Sequence, residues 1–308
     1  MISSLRKGDD FMEKILESLK KITNEENIFC NEPMKNHTTF KTGGNADILV
    51  MPTSKEELIE CLKLDVPKFI IGNGSNLVVK DGGLRGLVIK TTKVNNMSLD
   101  GDVLEAETGC FLGKIAMHAR DNSLTGFEFA CGIPGTLGGA VSMNAGAYGG
   151  EMKDVLIEST YADRDGNVHT ITNAEHEFGK RKSFFTGKDY VILSSKIQLK
   201  AGDYEEIKNK MEELKVSRNT KQPITMPSAG SVFKRPEGFF AGKLIEDSGL
   251  KGYKIGGAEV STLHAGFIVN AGNATSKDIL DLIKYIQETV QKNYGVLLET
   301  EVKIIGED

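Results

Sequence analysis

Residues 129–150 read FACGIPGTLGGAVSMNAGAYGG; seven of them are glycine, and no charged side chain lies between Glu128 and Glu151. The length suits a membrane span, which takes about 20 mostly apolar residues. The composition excludes one, because the glycines, Pro134 and the polar Thr136, Ser142, Asn144 and Tyr148 leave too little hydrocarbon to offset a desolvated backbone. Glycine loses more conformational entropy on folding than any other residue, so a cluster this dense marks either tight turns or main chain that something approaches closely. The stretch reads as a turn-rich loop or as a ligand cradle, and both readings stay open on these residues alone.

Outward from it, short strands and short helices alternate. Towards the N-terminus, DILVM (47–51) reads as a strand, and 54–64 as a helix opened by a capping box of Ser54 and Glu57. KFII (68–71) is the next strand, followed by a glycine loop and the strands LVV (77–79) and GLVIK (86–90). A dinucleotide fingerprint requires GxGxxG running into a helix, whereas Gly72-Asn73-Gly74-Ser75-Asn76 runs into another apolar strand. No GxxxxGK[ST] occurs, which removes a P-loop. Successive backbone N–H groups in such a loop can still form an anion-binding nest; a plain turn is the equal alternative.

Further strands are expected at 103–107, 155–161, 168–171 and 190–199, with a helix at 112–120. A charged helix over 203–218, followed by a proline-bearing segment, reads as a domain junction. Beyond it stand SVFK (231–234), a short helix at 241–247, the strand GFIVN (266–270) and a long helix over 277–292. The apolar positions Ile279, Leu282, Ile283, Ile286 and Val290 of that helix form one stripe. GVLLETEVKIIG reads as a closing strand, with Glu299, Glu301 and Lys303 on one face and Leu298, Thr300, Val302 and Ile304 on the other.

A chain of 308 residues exceeds the usual size of one core, so two or three domains are expected. A net charge of -5, with lysine and arginine scattered, excludes the basic face of a nucleic-acid binder. MISSLRKGDDFMEKILESLKKI reads as an amphipathic helix without an apolar signal core, and the expected location is cytoplasmic, with no membrane and no obligate protein partner. Cys30, Cys61, Cys110 and Cys131 lie far apart and read as buried free thiols. They and the five histidines show no metal-ligand spacing, so no metal is expected.

Several stretches together resemble the UDP-N-acetylenolpyruvoylglucosamine reductase family. They are NHTTFKTGGNAD (36–47), IGNGSNLVV (71–79), GFEFACGIPGTLGGAVSMNAGAYGGEM (126–152), RKS (181–183), RNTKQP (218–223), PSAGSVFKRP (227–236), AGKLIEDSGLKG (241–252), HAGFIVN (264–270) and LETEVKIIG (298–306). Each is weak alone, but their order along the chain is specific. The resemblance implies an α+β fold: two FAD-binding subdomains of the vanillyl-alcohol-oxidase (PCMH) type and a C-terminal α+β substrate domain. On this chain that gives an N-terminal helix over 1–24, an FAD-binding domain over 25–204 split near 92, and a substrate domain over 205–308. The length fits the family's compact class, without the extra tyrosine-bearing loop.

The activity implied is reduction of an enolpyruvyl ether to a lactyl ether in peptidoglycan precursor synthesis, with FAD as cofactor, NADPH as donor and a UDP-sugar as substrate. By resemblance, Gly72, Asn73, Gly74, Ser75, Asn76 and Leu77 hold the cofactor's diphosphate. Gly132, Ile133, Pro134, Gly135, Asn144, Ala145, Gly146 and Ala147 bring bare backbone against it. Arg181 clamps the substrate carboxylate, where a planar guanidinium matches two oxygens. Ser231 delivers a proton, and Glu301 acts with Arg181 on the enolate. Glu299 is expected to raise the pKa of Glu301 as a neighbouring carboxylate. Lys221 and Arg235 fall near the diphosphate of the UDP-sugar. Before Arg181 the family usually has tyrosine; this chain has Lys180. Two alternatives share the glycine loops, a flavin oxidase on the same fold and a flavin-binding module without catalysis, and only the reductase requires Arg181, Ser231 and Glu301 together.

Overall fold

A computed structural model describes residues 9–308. Residues 1–8, which the sequence reading includes in its first helix, lie outside the described residues. The chain divides into two units: one runs through Asn31 and takes in Asp47–Gly72 and Gly86–Lys215, and the other comprises Glu32–Ala46, Asn73–Arg85 and Val216–Asp308.

The first unit holds two sheets with separate cores. Helix α1 (Asp9–Ile22) and helix α2 (Lys55–Leu62) pack Ile15, Leu19, Leu58, Cys61 and Leu62 against Ile48, Val50, Leu87 and Ile89. Those last four come from a four-stranded sheet in the order Ile28–Pro33, Asn45–Val50, Leu84–Lys90, Lys68–Ile71. The start of α2 is capped as its sequence suggests, with Ser54 Oγ accepting the Glu57 N–H at 3.2 Å. The return bond slips by one residue, since Glu57 Oε2 accepts the Thr53 N–H at 2.7 Å.

The second sheet is antiparallel, in the order Val168–Thr172, Leu156–Ala162, Val191–Gln198, Val103–Glu107, Met97–Asp100. Alternation along these strands points Leu104, Ala106, Leu156 and Ile197 into a core shared with α3 (Leu112–Asp121) and α4 (Leu137–Ser142). The charge-free stretch is thus anchored by its apolar members: Phe129, Ala130, Leu137, Ala140, Val141 and Ala145 are all buried there. Helix α5 (Tyr204–Lys221) buries only Ile207 and Leu214, and the boundary between the units falls within it.

In the second unit, α6 (Ala241–Asp247) and α7 (Ser276–Tyr294) pack with a three-stranded antiparallel sheet, Lys254–Ile255, Ala258–Val260, Ile268–Asn270. A reciprocal capping box opens α7: the Thr275 hydroxyl accepts the Asp278 N–H at 3.1 Å, and the Asp278 carboxylate accepts the Thr275 N–H at 3.0 Å. Gly295, with φ 69°, ends it in the left-handed conformation. All five stripe positions, Ile279, Leu282, Ile283, Ile286 and Val290, are buried.

Two strand expectations need correction. Only Lys303–Ile305 of the closing segment is a regular strand, paired in parallel with Leu77–Val79. Residues 231–234 and 298–302 form isolated bridges, Ser231 with Phe267 and Phe233 with Thr300. The Phe233–Thr300 bridge is closed by two bonds, Glu301 N–H to Val232 O at 2.7 Å and Lys234 N–H to Glu299 O at 2.9 Å, while the Val232 N–H turns to Gly266 O, so the bridges lie on different partners and neither extends into a ladder. The buried alternation survives at Leu298 and Val302, while Ile304 is 39% exposed. No helix among the described residues is long and apolar enough to cross a membrane.

Ile286 is fully buried in α7, and truncation leaves a cavity that the helix cannot close. Ile286→Ala should therefore lower stability by about 2–5 kcal/mol in urea unfolding, and a loss well under ~1 kcal/mol would contradict this packing.

Candidate active site

Arg181 occupies the third position of a tight turn whose ends, Gly179 and Lys182, exchange backbone bonds of 2.9 and 3.3 Å. Its φ is 54°. Positive φ at that position favours glycine, and a side chain there costs about 1–2 kcal/mol. Surrounding bonds hold the turn at both ends. Ser183 Oγ donates to the Ser142 carbonyl at 2.7 Å, and Asn144 Nδ2 donates to the Gly179 carbonyl at 3.1 Å.

Asn144 is fully buried with φ 46°, a conformation that asparagine tolerates better than most residues. Its amide also donates to Glu151 Oε2 at 3.1 Å, and its Oδ1 accepts the Lys153 N–H at 3.0 Å. Glu151 pairs with Lys153 Nζ at 2.8 Å. Its carboxyl is held below the usual range, first by the Lys153 bond acting against burial, then by the Asn144 amide and by the charges of Lys153 and Arg181. Sequence reading passed over Ser142, Glu151 and Ser183; the available signal was that Glu151 is the first charge to end the neutral run.

The rest of that run shows why its glycines are bare. Tyr148 (φ 53°) and Gly149 (φ 89°) form the two-residue tip of a hairpin pairing Gly146–Ala147 with Gly150–Glu151. A Cβ on Gly150 would stand 2.7 Å from the Phe129 ring, and one on Gly138 would stand 2.1 Å from Thr108 Oγ1. Gly132, Ile133 and Gly135 are half-buried and Pro134 is exposed. Turn-making and close approach therefore both contribute.

Gly72 lies in the same unit beside the start of α4, where a Cβ would meet Thr136 Oγ1 at 2.2 Å. That hydroxyl is buried and has no hydrogen-bond partner within the protein. The N–H groups of Leu137 and Gly138 already bond to the Cys110 and Thr108 carbonyls. An unsatisfied hydroxyl facing main chain that must stay bare fits a polar, uncharged or anionic group laid over the backbone, as a flavin dinucleotide would be. Among the described residues, no group of three or more His, Cys, Asp or Glu is placed to hold a metal.

The second unit gathers another set. Gly74 has φ 66°, and a Cβ there would stand 2.2 Å from the His37 carbonyl, so its bareness serves the chain's own packing. Asn76 Nδ2 donates to the Glu301 carbonyl at 3.2 Å, and the Asn76 carbonyl accepts the Lys303 N–H at 2.9 Å. The Glu301 N–H donates to Val232 O at 2.7 Å, which places Glu301 across from the residue that follows Ser231. Ser231, Glu301 and the Asn73–Leu77 loop thus share one patch of backbone; Ser231 is exposed and Glu301 half-buried. Lys221 is exposed at the end of α5. Arg235 is exposed, its guanidinium 3.8 Å from the centre of the Phe240 ring.

The expected influence of Glu299 is corrected. Its carboxylate bonds to Lys234 Nζ at 2.9 Å, with 70% of the side chain exposed, and that bond and charge hold its pKa below the usual range. A charge neutralised and solvated in this way exerts little pressure on a neighbour. The thiols also differ from expectation: Cys61 and Cys110 are buried, with burial pushing their pKa to about 12 and about 11, but Cys131 is half-buried and Cys30 exposed.

Behind the Arg181 turn, buried His176 stacks on Phe178 with ring centres 4.7 Å apart. Its Nδ1 lies 2.7 Å from the Thr172 carbonyl and so donates, leaving Nε2 to accept from Ser159 Oγ at 2.9 Å. Burial lowers its pKa below the ordinary 6.5, against the Thr172 bond and the Glu175 charge. On acidification the unfolded chain takes up the proton first, so this contribution is complete above about pH 6.5 and is lost as pH falls through the lowered value. The melting temperature should therefore drop more steeply between about pH 7.5 and pH 5.5 in the wild type than in His176→Gln, and equal slopes would refute the assignment.

Known proteins bear on both units. The model of an FAD binding domain matches residues 46–172, and that of the UDP-N-acetylenolpyruvoylglucosamine reductase C-terminal domain matches residues 222–305. UDP-N-acetylenolpyruvoylglucosamine reductase of Caldanaerobacter subterraneus subsp. tengcongensis is 52% identical over 96% of this chain and 99% of its own. The crystal structure of the Thermus caldophilus reductase superposes with a TM-score of 0.78 at 36% identity, covering 88% of this chain and 97% of that one. Phl p 4.0202, a glucose dehydrogenase, superposes with a TM-score of 0.50 over 62% of this chain and 44% of its own; at 13% identity it speaks to the fold alone.

Proposed function

The chain belongs to the UDP-N-acetylenolpyruvoylglucosamine reductase family, and from that membership we propose how its residues divide the work. It reduces the enolpyruvyl ether of UDP-N-acetylenolpyruvoylglucosamine to the lactyl ether of UDP-N-acetylmuramate, a step of peptidoglycan precursor synthesis, with FAD as cofactor and NADPH as donor. FAD, when bound, supplies the hydride relay between NADPH and the sugar.

Main chain of Gly72–Leu77, Gly132–Gly135 and Asn144–Ala147 would hold the cofactor, and the unsatisfied Thr136 hydroxyl would meet it. Residues 25–204 form the cofactor domain in this reading, and residues 205–308 the substrate domain. Arg181 receives the substrate carboxylate, because a guanidinium offers paired donors where negative charge builds up as the double bond is reduced. Ser231 gives its hydroxyl proton to the carbon beside the carboxylate. Glu301 bonds the same carboxylate as it gains enolate character, the role of a protonated acid or hydrogen-bond donor. Lys221 and Arg235 bind the diphosphate of the UDP-sugar, which requires Arg235 to reach past its stack on Phe240. An NADPH-using enzyme acting on a nucleotide sugar works in the cytoplasm, without nucleic acid or membrane.

The observation that carries the residue assignment is Arg181 held at positive φ in a turn fixed from both sides. Strain of this kind persists only where the surroundings over-determine it, and it concentrates at functional sites. Ser231→Ala tests the division of labour. In anaerobic rapid mixing, reduction by NADPH should keep its wild-type rate while reoxidation by the UDP-sugar slows by about 100-fold or more. Equal slowing of both halves would count against Ser231 as proton donor.

A further inference from the structure

We propose that Asn144 and Glu151 are positioning residues for Arg181, setting the turn that aims its guanidinium. This rests on the reading of Arg181 as the carboxylate clamp.

The geometry specifies a carboxamide at position 144. Two acceptors, Glu151 Oε2 and the Gly179 carbonyl, face Nδ2, and one donor, the Lys153 N–H, faces Oδ1. Both amide protons are thereby used, and the partners fix which way the group points. Aspartate would turn an oxygen towards two acceptors, and leucine would remove all three bonds at once. The Gly179 carbonyl accepts from Asn144 and also from Lys182 N–H, so one buried atom group pins the residue two before Arg181. Glu151 completes the strut: it holds the Asn144 amide, its own carboxylate is held by Lys153 Nζ, and it feels the Arg181 charge.

A turn with arginine in a glycine-favouring conformation relaxes when one anchor is removed, because its strain is then no longer offset. The guanidinium sits at the end of a long side chain, so a small rotation at the turn moves it by an ångström or more. Misplacement on that scale can cost about 100-fold in rate.

The test is a double-mutant cycle on the flavin-loaded enzyme, with Asn144→Gly, Arg181→Ala and the two combined. Glycine suits the positive φ at position 144, so this change removes the amide with little backbone cost. Three quantities are read anaerobically: flavin reduction by NADPH, reoxidation by UDP-N-acetylenolpyruvoylglucosamine, and the Kd of UDP-N-acetylmuramate by calorimetry. Asn144→Gly should slow the sugar step at least about tenfold more than it changes the NADPH step and weaken product binding in proportion; in the Arg181→Ala background this extra slowing should shrink to less than about twofold. The same full loss in both backgrounds, or no loss in either, overturns the proposal. Failure of the underlying reading looks different, since Arg181→Ala alone would then leave the sugar step and product binding at wild-type values, and the inference would fall with it. Should Asn144→Gly not retain flavin, Glu151→Ala on the half-exposed partner completes the same cycle, with the same criteria.

Discussion

The bond from the buried Asn144 amide to the Gly179 carbonyl joins the neutral glycine stretch to the turn bearing Arg181. Together with the bond from Ser183 Oγ to the Ser142 carbonyl, it ties a run of bare backbone to a basic tripeptide far along the chain. With it, the conformation of the run dictates where a guanidinium can stand. The run can serve in this way because its apolar members are locked into a core beneath the five-stranded sheet. Burial of that kind gives the amide a rigid base, and a low-dielectric setting strengthens each of its bonds.

Bareness of the backbone has two origins in this protein. Gly72, Gly74, Gly138 and Gly150 are bare because the chain's own atoms lie where a Cβ would be, at Thr136, His37, Thr108 and Phe129. Gly139, exposed, has no neighbour nearer than 3.8 Å to its would-be Cβ, and Gly149 has none within 4 Å. A loop can therefore look like a ligand cradle in sequence while many of its glycines serve internal packing.

Legibility in the sequence followed the range of the interactions. Helix α7 was readable because its apolar stripe is local, Ile279 to Val290 falling on one face. Four strands of the five-stranded sheet were readable within one or two residues, whereas the edge strand Met97–Asp100 was not read. Residues 231–234 and 298–302 read as strands yet form only isolated bridges, a matter of which partners the fold brings alongside rather than of local preference. Arg181, Ser231 and Glu301 were reached through family resemblance, since a basic run, a turn serine and a polar-face glutamate are ordinary in isolation. The supports of Arg181 stayed hidden because they act across 35 residues between Asn144 and Gly179 and 41 between Ser142 and Ser183. The thought that Glu299 presses on Glu301 failed because Lys234, from a different segment, neutralises it.

The central claim is that bare backbone binds a flavin whose electrons go to an enolpyruvyl sugar. It is tested most directly by spectroscopy of the wild-type protein under strict anaerobiosis. The purified protein should be yellow, NADPH should bleach it, and UDP-N-acetylenolpyruvoylglucosamine added in the absence of oxygen should restore the oxidised spectrum. A colourless protein that takes up no FAD, or a bleached one that recovers with oxygen but not with the sugar, would contradict the account.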